Sequence, residues 1–132
     1  MKSNRTAIER LRGRVQRGFI GYPLATVIFY GPNEQRASKV AVGVINREKA
    51  PADPLERWVS ETTDVRADES IGSAVLAFLD AHGVRSVVIA AGIQGCPHEE
   101  GIDYPEGATC PRCPYWAGRP RSSTGSISRR DP

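Results

Sequence analysis

Asp68-Glu69-Ser70-Ile71-Gly72-Ser73-Ala74-Val75-Leu76-Ala77-Phe78-Leu79-Asp80-Ala81-His82-Gly83-Val84-Arg85-Ser86-Val87-Val88-Ile89-Ala90-Ala91 places a helix directly before a strand. Ile71, Val75, Phe78 and Leu79 recur at helical spacing and make one apolar face. Asp64 or Asp68 caps its start, because a short carboxylate accepts the free amides of a first turn. Gly83, after Ala81-His82, suits a left-handed stop, and His82 sits in the last turn, where the helix dipole favours a cation. Ser86 to Ala91 carries no charge and reads as a buried strand. A helix that feeds such a strand is a crossover, so this strand is expected to run parallel to a neighbour.

Working back toward the start, Leu24 to Tyr30 is an uncharged, β-rich run, and Lys39 to Ile45 is a second β-rich run. Gly31-Pro32-Asn33-Glu34 between them is turn chemistry, so the two runs are predicted to form a hairpin. Residues 46–55 contain Pro51, Pro54 and several charges and read as an exposed loop. Glu56 to Ser60 reads as a short third strand, with Trp58 as a packing residue. Residues 6–17 read as a helix with Ile8, Leu11, Val15 and Phe19 on one stripe and Arg10, Arg14 and Arg17 opposite. That basic side is either a solvated face or a phosphate-facing one.

The remaining signal is chemical. Cys96-Pro97-His98 and Cys110-Pro111-Arg112-Cys113 contain every cysteine of the chain and one of its two histidines. Three thiolates and an imidazole are a common structural zinc set, and ligands converging at about 2.0–2.3 Å need tight turns. Pro111 and Pro114 stiffen one turn; Pro97 and Gly95 bend the other; Gly101, Pro105 and Gly107 shape the connection. The predicted metal ligands are therefore Cys96, His98, Cys110 and Cys113, with Zn²⁺ as the cofactor. Three clustered cysteines also fit a reducing, cytoplasmic compartment better than a disulfide scaffold. The alternative is three buried or idle thiols.

The predicted fold class is α+β: a small mixed four-stranded sheet made of a β-hairpin, a short third strand, a crossover helix and a parallel fourth strand. An N-terminal helix precedes it and a zinc loop follows it. The 132 residues divide into a basic helix over 1–20, the α+β domain over 21–116 with its zinc loop at 93–116, and a flexible basic tail over 117–132. The element order resembles the first half of ribonuclease H-like folds in topology alone. Leu24 to Tyr30 lacks the acidic residues such nucleases need, so that activity is not expected.

The net charge of +3 is unevenly spread. Residues 1–17 carry six basic side chains against Glu9, a net +5, and residues 117–132 carry four against Asp131, a net +3. The body over 18–116 is then −5. Basic ends on an acidic body suggest a polyanion such as nucleic acid, and the acidic loop suggests a protein partner. The alternative is solubility alone. No apolar run follows the basic start, so no signal peptide is expected, and no stretch approaches transmembrane length. Oligomeric state is not legible.

The segment Cys96-Pro97-His98-Glu99-Glu100-Gly101-Ile102-Asp103-Tyr104-Pro105, followed by Cys110-Pro111-Arg112-Cys113-Pro114-Tyr115-Trp116, resembles a loop in a group of uncharacterised small bacterial proteins. The resemblance implies a zinc-ribbon-like or knuckle-like site and imports no activity. Two enzyme readings stand beside the binding or adaptor module that these features favour. A zinc hydrolase or deaminase would use Glu99 or Glu100 as its base, in imitation of an H-x-E…P-C-x-x-C signature. Thr109 stands where that signature needs proline, only nine residues separate Glu100 from Cys110, and Cys96 would close the open coordination position. A redox C-x-x-C needs a helix N-terminus, and Gly118 and Pro120 cut short any helix begun at Pro114. Glu99, Glu100, Asp103 and Glu106 otherwise read as a solvated acidic loop.

Overall fold

A computed structural model describes residues 6–99, 102–108 and 110–116. The elements follow in the order α1 (Ala7–Gln16), β1 (Leu24–Tyr30), β2 (Lys39–Ile45), β3 (Leu55–Val59), α2 (Glu69–Ala81) and β4 (Ser86–Ile93), with one short 3₁₀ turn at Pro114–Trp116. The expected basic tail at 117–132 lies outside the described residues. None of the described helices is long and apolar enough to cross a membrane.

The fold is α+β, with a mixed sheet in the order β3-β2-β1-β4. β1 pairs antiparallel with β2, Val27 opposite Val42, and β2 pairs antiparallel with β3, Val40 opposite Trp58. β4 lies parallel to β1, as the crossover through α2 requires. It runs two residues further than Ala91. Its register slips between Ile89, opposite Val27, and Ile93, opposite Phe29. Gly92 has φ of +67° inside this irregularity, a conformation that glycine takes without a side-chain clash.

Side chains alternate across a strand, so Ala25, Val27 and Phe29 share one face. That face, with Val40, Val42 and Val87, packs against Leu11 of α1 and Val75, Leu76 and Leu79 of α2. Trp58 closes one side of this layer, its ring edge-on to Phe78 at 5.6 Å. Asp68, not Asp64, caps α2, accepting from the Ile71 amide at 3.1 Å. Asp64 instead accepts from the Ala37 amide and from Arg66. Gly83 ends α2 with φ of +62°.

α1 joins the same core through Ala7 and Leu11. Its start carries a capping box, Thr6 with Glu9, which was legible in the sequence as S/T-x-x-E but stood outside the apolar stripe. The helix lies alongside α2: the Ala7 amide donates to Glu69, and Arg14 pairs with Asp80 at 2.7 Å. Two expectations change here. Phe19 leaves the stripe and is 62% exposed, because α1 ends at Gln16 and Gly18 turns the chain with φ of +74°. Arg14 faces a carboxylate of its own fold.

Candidate metal centre

The chain leaves β4 at the end of the sheet where β1 turns into the hairpin loop. Gly31 receives it there. The Gly31 amide donates to the Gly95 carbonyl at 2.8 Å, and the Trp116 indole donates to the Gly31 carbonyl at 2.7 Å. A Cβ on Gly31 would lie 1.8 Å from the Arg36 carbonyl oxygen, so no larger residue fits. One backbone position thus holds both ends of the loop.

Between those ends, Cys96, His98, Cys110 and Cys113 converge. One ligand atom from each lies within 4.8 Å of all the others, so together the four could hold a metal ion. His98 Nδ1 is 3.3 Å from Cys96 Sγ, 3.4 Å from Cys110 Sγ and 3.5 Å from Cys113 Sγ. The three sulfurs are buried, and Tyr104 and Trp116 pack against them. Trp116 also touches the main core, which ties the site to the sheet. His82, at the end of α2, is not one of the group.

Backbone amides supply the electrostatics of this pocket. The His98 amide donates to Cys96 Sγ at 3.2 Å. Burial pushes the Cys96 thiol up to about 12 and raises Cys113 as well. At Cys110 burial acts in the same sense, but donors including the Arg112 and Cys113 amides outweigh it and hold the thiol below its usual value. The metal-free thiols therefore resist losing their protons together, and a cation among them reverses that balance.

Lys39 is the residue that sequence reasoning missed. It opens β2, is only 6% exposed, and reaches over the sheet to the loop. Its ammonium donates to the Pro97 carbonyl at 2.8 Å and to Glu99 at 2.6 Å. Both contacts flank His98. Arg57 of β3 donates to the same Glu99 carboxylate at 3.1 Å. The available signal was a lone charge at the head of an otherwise apolar strand.

This clamp bears on Glu99 as a candidate base. Burial raises its affinity for a proton, but Lys39 and Arg57 prevail and hold the carboxyl below its ordinary range. A general base is best poised near the working pH, and this one is held the other way. The second candidate, Glu100, lies outside the described residues. No family model, curated protein or solved structure matches the chain. The chemistry of the site rests on its geometry.

Proposed function

We propose that Cys96, His98, Cys110 and Cys113 hold one Zn²⁺ as a closed structural site, and that the protein is a small binding module rather than an enzyme. The carrying observation is the set of three sulfurs around one imidazole nitrogen at 3.3, 3.4 and 3.5 Å. One N–H cannot donate to three sulfurs. A tetrahedral zinc with ordinary Zn–S and Zn–N bonds puts sulfur and nitrogen about 3.6 Å apart, close to all three separations. Thiolate-rich sets of this kind favour zinc over harder cations. The loop's resemblance to the zinc-ribbon-like segment of small bacterial proteins supports the same metal.

Three thiolates, a neutral histidine and Zn²⁺ leave a net charge of −1, beside which Arg112 stands. Four protein ligands leave no position for a reactive water, and Glu99 is held as an ion-paired anchor. These two features set the deaminase-like reading behind the module. For a macromolecular partner, the basic ends support nucleic acid, and the acidic loop is the alternative docking surface for a protein.

Elemental analysis with cobalt substitution tests the metal reading. One metal per chain and a strong thiolate-to-cobalt absorption with tetrahedral ligand-field bands are expected. A chain purified without metal would sink the reading. A cobalt spectrum showing an open, water-bearing position would restore the enzyme.

A further inference from the structure

His98 faces the sulfurs with Nδ1, so its Nε2 lies on the far side of the ring. Arg112 Nη1 is 3.5 Å from that Nε2. When Nδ1 binds a metal, the neutral ring carries its proton on Nε2. A metal-bound histidine nearly always donates this second N–H to a carboxylate, carbonyl or water. Here its neighbour is a guanidinium, which has only donors. Two donors at this separation cannot bond to each other, but they are well spaced to share one oxygen.

Both groups line a cleft of about 440 Å³ between the metal loop, the head of β2 and the edge strand β3. Four cations line it, Arg36, Lys39, Arg57 and Arg112, against the carboxylates of Glu61 and Asp103. Lys39 and Arg57 share Glu99. Arg36 donates to the carbonyls of Ser60 and Thr63 and, like Arg112, has no carboxylate partner among the described residues. Pro32, Val59 and Pro97 give the cleft apolar wall. Its volume falls within the roughly 300–1,000 Å³ of small-molecule sites.

We propose that this cleft binds the oxyanion group, phosphate or carboxylate, of a small organic molecule, with His98 Nε2 and Arg112 sharing one of its oxygens. The inference rests on the zinc reading, because the bound metal sets the histidine tautomer. Guanidiniums with no carboxylate partner among the described residues favour a charged acceptor over water, since charge-assisted hydrogen bonds are the stronger kind.

The test uses the full chain with its zinc content measured first. Inorganic phosphate and acetate are titrated in separate arms at constant ionic strength, with chloride as control. Side-chain ¹⁵N signals of His98 and Arg112 report binding. Saturable shifts in either oxyanion arm are expected, and the tighter arm names the group. Arg112→Gln is expected to weaken the response about tenfold or more with zinc content unchanged, and Arg36→Gln to weaken it in the same direction. Shifts no different from chloride in a zinc-replete chain overturn the proposal and leave the zinc site standing. An unaltered response in Arg112→Gln also overturns it. A chain found to hold no zinc before titration fails the earlier reading instead, and takes this tautomer with it.

Discussion

Lys39 at 6% exposure is unusual for its residue type, and its two acceptors on the metal loop account for the burial. The four residues that could hold a metal carry a prediction of their own. Cys110→Ser and Cys113→Ser are expected to abolish tight zinc binding, and Cys96→Ser and His98→Ala to do nearly as much. His82→Ala should leave affinity unchanged. Competition with a coloured chelator measures all five, and a large effect at His82 with none at His98 would refute the ligand set. Asp64 carries a separate prediction. Burial raises its pKa, but Arg66 and the Ala37 and Arg66 amides win and lower it from 3.8 to about 2. A depressed carboxylate stabilises the fold above its unfolded value and loses that contribution as pH falls from about 4 through about 2. Allowing for partial exposure, this amounts to about 1–2 kcal/mol. Asp64→Asn should cost about that much at pH 7 and little at pH 2, read by denaturant titration at both.

Among the elements, the loop over 93–116 and the sheet are joined but have separate cores. The sheet has its own core of β1, β2, β4 and both helices, whereas the three cysteines form a separate small cluster. Chelation is therefore expected to speed amide exchange in residues 93–116 while the strands stay protected. Unchanged exchange in the loop of metal-free protein would count against coupled ordering. The α1–α2 contact is tight enough to decide a sign. A Cβ on Gly72 would lie 2.6 Å from Ala7 Cβ. Gly72→Ala gains up to about 1 kcal/mol in helix propensity, but forcing two packed helices apart costs roughly 1–3 kcal/mol. Net destabilisation is expected, measured by thermal or denaturant unfolding, and a more stable variant would show that α1 shifts freely. A hairpin beside one parallel pair was legible because the Ser86–Ala91 run follows a capped helix, whereas the order β3-β2-β1-β4 was not. The slip at Gly92 was not, since bulges follow from pairing with a partner strand and leave no periodic mark.

At the scale of the whole molecule, charge separation is the main feature. The +5 start and +3 tail flank a −5 body. If nucleic acid is the partner, RNA affinity should fall steeply with salt, because phosphate binding releases counterions. Reversing Arg10 and Arg17 and removing residues 117–132 should flatten that slope. Reversing Arg14 should chiefly destabilise the fold, since it meets Asp80 at 2.7 Å. RNA titration at low salt with no binding would end the idea and leave the acidic loop as the docking surface.

The sequence by itself determined the four strands, the two helices and the group of four Cys and His residues that could hold a metal, because each rests on local spacing: alternation, helical period, and Cys and His on short turns. The fold could also be placed in its class from element order alone. Tertiary structure alone decided what touches the metal loop. Gly31 holds it from 64 positions away at Gly95, Lys39 anchors it from a strand head, and Arg36 and Arg57 reach the same cleft from a loop and an edge strand. Such contacts depend on how the sheet pairs and where the chain leaves β4. A sequence records residue order, and these partners meet only once the sheet has closed.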